Sequence, residues 1–183
     1  RTFGRRRFLV HISPKKSVEG VVGGLVACTL VMVGGVHIAI TLAALAKTLN
    51  YRTIVIDPRH AFGSDERFPH VDQLLQSWPD EAFAQIPLTE SVAVAILTHD
   101  PKIDDPALQS VLRSPVFYIG ALGSRKTHAT RSERLRSEGF TPEEIARIHS
   151  PIGIEISAQI PEEIALAVMA QVVKSRHAAR RAG

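Results

Sequence analysis

Cysteine is nearly missing from this chain: Cys28 is the only one. A single thiol closes no internal disulfide and builds no cysteine-based zinc site, so a reducing, cytoplasmic setting is expected. Cys28 lies in the run Val26-Ala27-Cys28-Thr29-Leu30. In such a run a cysteine acts as a small hydrophobe rather than a nucleophile. Charge is missing too, from Gly20 to Ala46. Length alone would admit a membrane span there. Gly23, Gly24, Gly34, Gly35 and His37 interrupt it, however, and a strand followed by a buried helix has the same hydropathy. The opening Arg5-Arg6-Arg7-Phe8-Leu9-Val10 has the look of a twin-arginine export signal. Its apolar continuation runs into the first strand instead of a cleavage site, so no membrane partner is expected.

Other signatures are also lacking. The chain has no internal repeat and no low-complexity tract. It has no G-x-S-x-G, no H-E-x-x-H and no P-loop. No catalytic residue and no metal-ligand set is therefore assigned, and the motifs announce no enzyme. The basic runs Arg5–Arg7 and Lys174–Arg181 come without any nucleic-acid-binding motif. They read as solvated termini, and no nucleic acid is expected as a partner.

What is present is ordinary globular material. The chain has 183 residues, 45% apolar and 22% charged, with a net charge of +4. That suffices for one well-buried domain and is short for two. Residues 1–28 read as an N-terminal strand and linker segment, with a short strand at Phe8–Ile12. Residues 29–180 read as the domain proper. Apolar β-branched runs are expected to form strands at Leu30–Val33, Thr53–Ile56, Asp72–Leu75, Val92–Leu97 and Val116–Ile119. Helices are expected at Ile38–Leu49, Pro79–Gln85, Asp105–Leu112, Ser124–Glu138, from Thr141 and at Pro161–Ala179. Their starts carry Pro, Ser, Thr or Asp, and Gly139 stops the fourth. Thr141-Pro142-Glu143-Glu144 has the spacing of a capping box. Strand and helix alternate throughout. The expected fold is α/β: a Rossmann-like, doubly wound, mainly parallel sheet flanked by helices.

Such sheets bind ligands at the carboxyl ends of their strands. Glycine and polar residues of this chain concentrate at those same ends. Gly34, Gly35, Val36 and His37 join the first strand to the first helix. They match a dinucleotide fingerprint whose second glycine position holds Val36 and whose third holds Ala39. The turn is either an anion cradle at a helix N-terminus or a packing device. Asp57 stands 23 positions after Gly34 (57 − 34) and suits either a ribose hydroxyl or a turn cap. Arg59 beside it suits a phosphate. His99 and Asp100 end the fourth strand. With Asp104 and Asp105 they could hold a divalent metal or act as acid and base, unless Asp105 is only a helix cap. Gly120, Gly123, Ser124 and Arg125 form a second glycine loop, read as an anion site or as a plain turn with a Ser cap. His149-Ser150-Pro151-Ile152-Gly153 reads as a rigid turn.

Together these segments resemble the XdhC/CoxI family. The resemblance rests on Gly34-Gly35-Val36-His37-Ile38-Ala39, Asp57-Pro58-Arg59, Glu66-Arg67-Phe68-Pro69, Trp78-Pro79, Leu97-Thr98-His99-Asp100-Pro101-Lys102 and Asp104-Asp105-Pro106-Ala107-Leu108. It continues through Tyr118–His128, Ile148–Gly153 and Pro161–Ala165, in order, from about Leu30 to Arg176. The T-H-D-P-K-x-D-D-P-A-L and Y-I-G-A-L-G-S-R pieces are the most specific. The resemblance implies the Rossmann-like C-terminal domain of a molybdenum-cofactor chaperone. Such proteins bind the cofactor, as molybdopterin or its nucleotide form, and protect it while its terminal sulfur is installed. They deliver it to a molybdenum hydroxylase of the xanthine dehydrogenase or CO dehydrogenase type. The resemblance also implies a homodimer and a cysteine desulfurase partner.

Two departures stand out. The family's G-A-G-H is Gly34-Gly35-Val36-His37 here. Its N-terminal domain is expected to be missing, with Ser17-Val18-Glu19-Gly20 a faint echo of its cysteine-bearing segment. The rival readings are an NAD(P)-binding oxidoreductase and a non-catalytic interaction module of a dehydrogenase assembly.

Overall fold

The computed structural model describes residues 28–182. The expected strand at Phe8–Ile12 and nearly all of the 1–28 segment lie outside the described residues. Six strands form one sheet: β1 (Thr29–Val33), β2 (Arg52–Ile56), β3 (Gln73–Leu75), β4 (Val92–Ile96), β5 (Tyr118–Ala121) and β6 (Ile148–His149). Their order is β3-β2-β1-β4-β5-β6, and every pairing is parallel. The helices are α1 (His37–Thr48), α2 (Pro79–Phe83), α3 (Pro101–Val111), α4 (Arg125–Ser137), α5 (Pro142–Ala146) and α6 (Pro161–Ala182).

Parallel strands need crossover connections, and the helices that supply them cover both faces of the sheet. Side chains alternate faces along each strand, so one apolar run feeds two cores. Val31, Val33, Val94 and Ile96 pack with Ile103, Leu108 and Val111 of α3. Leu30, Met32, Ala93 and Ala95 pack with Leu42 and Ala46 of α1 and with Val168 and Val172 of α6. Ala93 and Ala95 are small, which gives two helices room above the central strands. In register, Val33 stands opposite Ile56 on one side and Ile96 on the other. The ends of β1, β2 and β4 are thus level, and their loops open side by side.

Three elements differ from the expectations. Helix α3 starts at Pro101, with Asp100 as its N-cap accepting from the Lys102 amide at 3.0 Å. Pro106 lies inside that helix and not at its start. A proline there withholds one hydrogen bond, from the Lys102 carbonyl, and Lys102 is exposed to water that can replace it. Asp105 is consequently no cap. Strand β5 runs Tyr118–Ala121, so Gly120 belongs to the strand and not to the loop after it. The expected rigid turn begins with β6, an edge strand too short to show any periodicity. The capping box at Thr141 and Glu144 is present as expected.

Asp72, just ahead of β3, ties the last turn of α1 to the sheet. It accepts from the Thr53 amide at 2.7 Å and from Lys47 Nζ at 2.6 Å. The Lys47 ammonium, helped by the Thr53 donors, holds its carboxyl down at about 2. A carboxyl lowered in the folded state stabilises above its ordinary value, and that contribution fades as pH falls through the folded one. Both side chains are partly exposed, so solvent screening keeps the amount small. The expected outcome is that Asp72→Asn loses less stability than the parent between about pH 4 and pH 2. Urea midpoints measured across that range check it; parallel curves would refute the strap.

Candidate functional site

The order of strands reverses direction between β1 and β4, and their loops part there, leaving a crevice at their carboxyl ends. A cleft of about 430 Å³ occupies that crevice. Val36 lines it from the first turn, Arg59 and Phe62 from the loop after β2, and Leu97, Thr98, His99, Asp100 and Pro101 from the end of β4.

The first turn fits only glycines. Gly34 has φ +107°, and a Cβ there would stand 2.4 Å from Thr98 Cγ2. A Cβ on Gly35 would stand 2.3 Å from the Phe62 carbonyl oxygen. The loop after β2 therefore lies directly on the turn. Val36 is the N-cap residue of α1 and has no side-chain oxygen to offer. Nor does any acidic residue stand in the first turn of α1. The uncapped N–H groups and the positive end of the helix dipole are left for an outside anion.

Asp57 lies at the floor, with its side chain fully buried. Its Oδ2 accepts from the Gly35 amide at 2.7 Å and from Arg59 Nη2 at 2.7 Å. Its Oδ1 accepts from the Arg59 amide at 2.9 Å and from Arg59 Nε at 2.8 Å. Burial by itself would raise this carboxyl; the Arg59 guanidinium and the two amides outweigh burial and hold it below the ordinary range. Arg59 in turn lies over the Phe62 ring at 4.3 Å, and Arg67 stands 5.5 Å from the same ring.

A second ion pair supports the β4 side. Asp104 is buried, and its partners are the Thr98 hydroxyl and Arg131 Nη2, at 3.1 Å from the latter. Arg131 Nη2 also donates to the Leu122 carbonyl at 2.9 Å, while its Nε and Nη1 are buried without a partner. Burial raises the Asp104 carboxyl, against the opposing pull of Thr98 and Arg131. Asp105 pairs instead with Arg134 at 2.6 and 2.8 Å. The expected convergence of Asp104 and Asp105 on His99 does not occur. Both aspartates are held by arginines of α4, while His99 lies exposed at the cleft. Among the described residues no group of three or more His, Cys, Asp or Glu stands together as a metal site.

Of the sequence candidates, the cleft thus unites Val36, Arg59, His99 and Asp100, with Gly34, Gly35 and Asp57 beneath it. His37 is exposed on α1 and is not among the lining residues. Gly120, Gly123, Ser124 and Arg125 also lie outside the lining. Gly120 is packed in β5, where a Cβ would meet Tyr118 Oη at 2.4 Å. Gly123 has φ +135°, and Ser124 caps α4 by accepting from the Thr127 amide at 3.1 Å. Their loop is tied to the end of β4 by the Leu122 amide, which donates to the Ile96 carbonyl at 2.8 Å, and through Arg131, Asp104 and Thr98. Sequence reading does not place Phe62 at the site, although it stands between two arginines, Arg59 and Arg67, in the loop after β2. A second cavity, of about 390 Å³, lies at the opposite end of the sheet beside Thr29, Arg52, Gln73 and Val92. It has no glycine turn and no free helix N-terminus, so the cleft at the carboxyl ends is the stronger site.

Comparison with known proteins bears on the same segments. A family model described as the XdhC Rossmann domain matches residues 30–172. A Bacillus subtilis (strain 168) protein, named as a probable xanthine dehydrogenase subunit, is 31% identical over 147 residues, 80% of this chain and 42% of its own. The Escherichia coli (strain K12) protein named "Molybdenum cofactor insertion chaperone PaoD" is 38% identical over 99 residues, 54% of this chain and 30% of its own. A solved structure described as a xanthine dehydrogenase (BH1974) from Bacillus halodurans superposes with a TM-score of 0.74 at 28% identity, over 85% of this chain and 46% of that one. The chain spans less than half the length of each.

The buried pair at the β4 side has a measurable consequence. Arg131→Met leaves Asp104 as an uncompensated buried charge and is expected to cost about 3–5 kcal/mol in chemical denaturation. Adding Asp104→Leu is expected to recover most of that loss, since neither charge then remains. Additive losses in the double variant would show that the two groups do not act as a pair.

Proposed function

The chain belongs to the XdhC family by its Rossmann domain, and on that premise we propose that it is a molybdenum-cofactor-binding chaperone. It serves the maturation of a molybdenum hydroxylase of the xanthine dehydrogenase or CO dehydrogenase type. The observation that carries this reading is that three of the family-matching segments meet at the cleft at the switch point. The glycine turn, the Asp57-Pro58-Arg59 segment and the Thr98–Lys102 segment meet there and nowhere else in the described residues. The name of the Escherichia coli relative supplies the cargo.

That cargo is a pterin carrying a phosphate, and the cleft offers a partner for each part. The uncapped start of α1 and the outward face of Arg59 receive the phosphate. Phe62 and Pro101 offer apolar surface to the flat ring. His99 and Asp100 supply polar contacts at the rim. Gly123, Ser124, Arg125 and exposed His37 are assigned to more distant contacts of a longer, nucleotide form, while Gly120, packed in β5, supports their loop from within the sheet. In this reading the chain carries the cofactor rather than reducing it. A nicotinamide dinucleotide reading draws on the same turn, but Val36 fills the second glycine position and the Asp57 carboxylate is already saturated. The client enzyme, a cysteine desulfurase and a second copy of the chain are its proposed partners, in the cytoplasm. No helix among the described residues is long and apolar enough to cross a membrane.

Micromolar protein is expected to slow the oxidation of added molybdenum cofactor, followed by the fluorescence of the oxidised pterin. Arg59→Ala removes a charge-assisted phosphate contact and is expected to weaken that protection about tenfold. No protection by the parent chain at that concentration overturns the reading. Tight calorimetric binding of a nicotinamide dinucleotide would favour the oxidoreductase instead.

A further inference from the structure

In dinucleotide-binding sheets a carboxylate at the end of the second strand accepts the hydroxyls of a ribose. Asp57 stands at that place, yet the structure leaves it nothing to accept with. A carboxylate has about four lone-pair positions, and four donors already meet it, two on each oxygen. Its side chain has no exposed surface. The occupant is the chain itself. Arg59 reaches back two residues, forks across both oxygens and covers the carboxylate from the cleft side. Phe62 backs the guanidinium at 4.3 Å, and the Phe62 carbonyl rests against Gly35. The arrangement is therefore fixed from below by Asp57 and from the side by the aromatic ring.

Arg59 is not used up by this. Of the five N–H donors of a guanidinium, the carboxylate takes two, on Nε and Nη2, leaving three (5 − 2). Its side chain is 35% exposed, on the cleft. Arg67 adds a second cation 5.5 Å from the centre of the Phe62 ring, outside the lining itself. The seat that would receive a neutral diol thus presents positive charge and free donors.

We propose that the Asp57–Arg59 pair is a built-in filter on the ligand: the cleft refuses a ribose docked through its free vicinal hydroxyls and accepts a ligand that brings a phosphate monoester to Arg59. This rests on the reading of the cleft as a phosphate-bearing cofactor site, and it names the group by which that site selects. The phosphate can be carried on a pterin or on a nucleotide ribose, and the two sources present the same dianion.

Calorimetry on the full chain separates the possibilities with probes that contain no molybdenum. ADP-ribose offers the free diol, and 2′-phospho-ADP-ribose offers the phosphate at the same position. A pterin alcohol and its phosphate ester form a second pair. The parent chain is expected to bind the phosphorylated member of at least one pair ten times or more tighter than its partner, and the pair that responds identifies the source. Arg59→Ala is expected to abolish that preference and to gain binding of ADP-ribose, because Asp57 is uncovered. Arg59→Gln keeps one donor to the carboxylate without the charge, so it loses the preference even if the alanine variant fails to fold. Equal affinities within both pairs, or tighter binding of ADP-ribose than of its 2′-phosphate by the parent chain, overturns the proposal. So does failure of all four probes at millimolar concentration. Neither result touches the chaperone reading, which the cofactor-protection assay tests separately.

Discussion

A carboxylate moved out of water costs several kcal/mol unless donors replace the lost hydration. Asp57 is buried at the floor of the cleft, and all its donors come from two residues: the amide of Gly35, and the amide and side chain of Arg59. Meeting that demand determines much else. The Gly35 amide points into the carboxylate, which orients the turn after β1. Arg59 folds back, which curls the loop after β2. That loop then crosses Gly35 so closely that no side chain fits there. The wall of the cleft on the β1 and β2 side is thus set by the solvation of one charge.

The same logic recurs across the switch point. Asp104 is buried on the β4 side and is answered by Thr98 and by Arg131 from α4. Thr98 also packs against Gly34, so the two charged networks meet at the turn between them. One arginine faces the cleft and keeps donors free for a ligand. The other is sealed inside and ties the loop after β5 to the end of β4. Burial decides which of the two is available to chemistry: 35% of the Arg59 side chain is exposed, against 1% of Arg131.

The sheet is readable from sequence because buried parallel strands are short, apolar and β-branched, and Leu30–Val33, Thr53–Ile56 and Val92–Leu97 are all of that kind. Helix starts are less so. Asp100-Pro101 and Asp105-Pro106 are the same local signal, and only the pull of Lys102 toward Asp100 and of Arg134 toward Asp105 separates cap from ion pair. Gly120 looks like a loop residue because glycine usually ends a strand; here it pairs with Ala95 and His149 in the sheet, and it is glycine because Tyr118 and Ile152 take the volume of a side chain. In the site, the residues next to strand ends are legible, since topology dictates where those ends lie. Phe62 is not, because a loop residue declares its place only through contacts, with Arg59 and Gly35, that no periodicity encodes. The saturation of Asp57 is equally hidden, as its partner lies two positions away and nothing in the pattern says which way that arginine turns.

The central position of β1 has a consequence for biogenesis. It is the earliest strand of the described sheet to leave the ribosome, yet both of its neighbours, β2 and β4, are made afterwards. Non-local parallel pairing of this kind is slow to form and leaves apolar surface open meanwhile. The uncharged stretch from Gly20 to Ala46 contains that strand and most of α1. Until Val92–Ile96 has emerged, β1 lacks one of its two partners, and its apolar surface on that side stays open to association with its like.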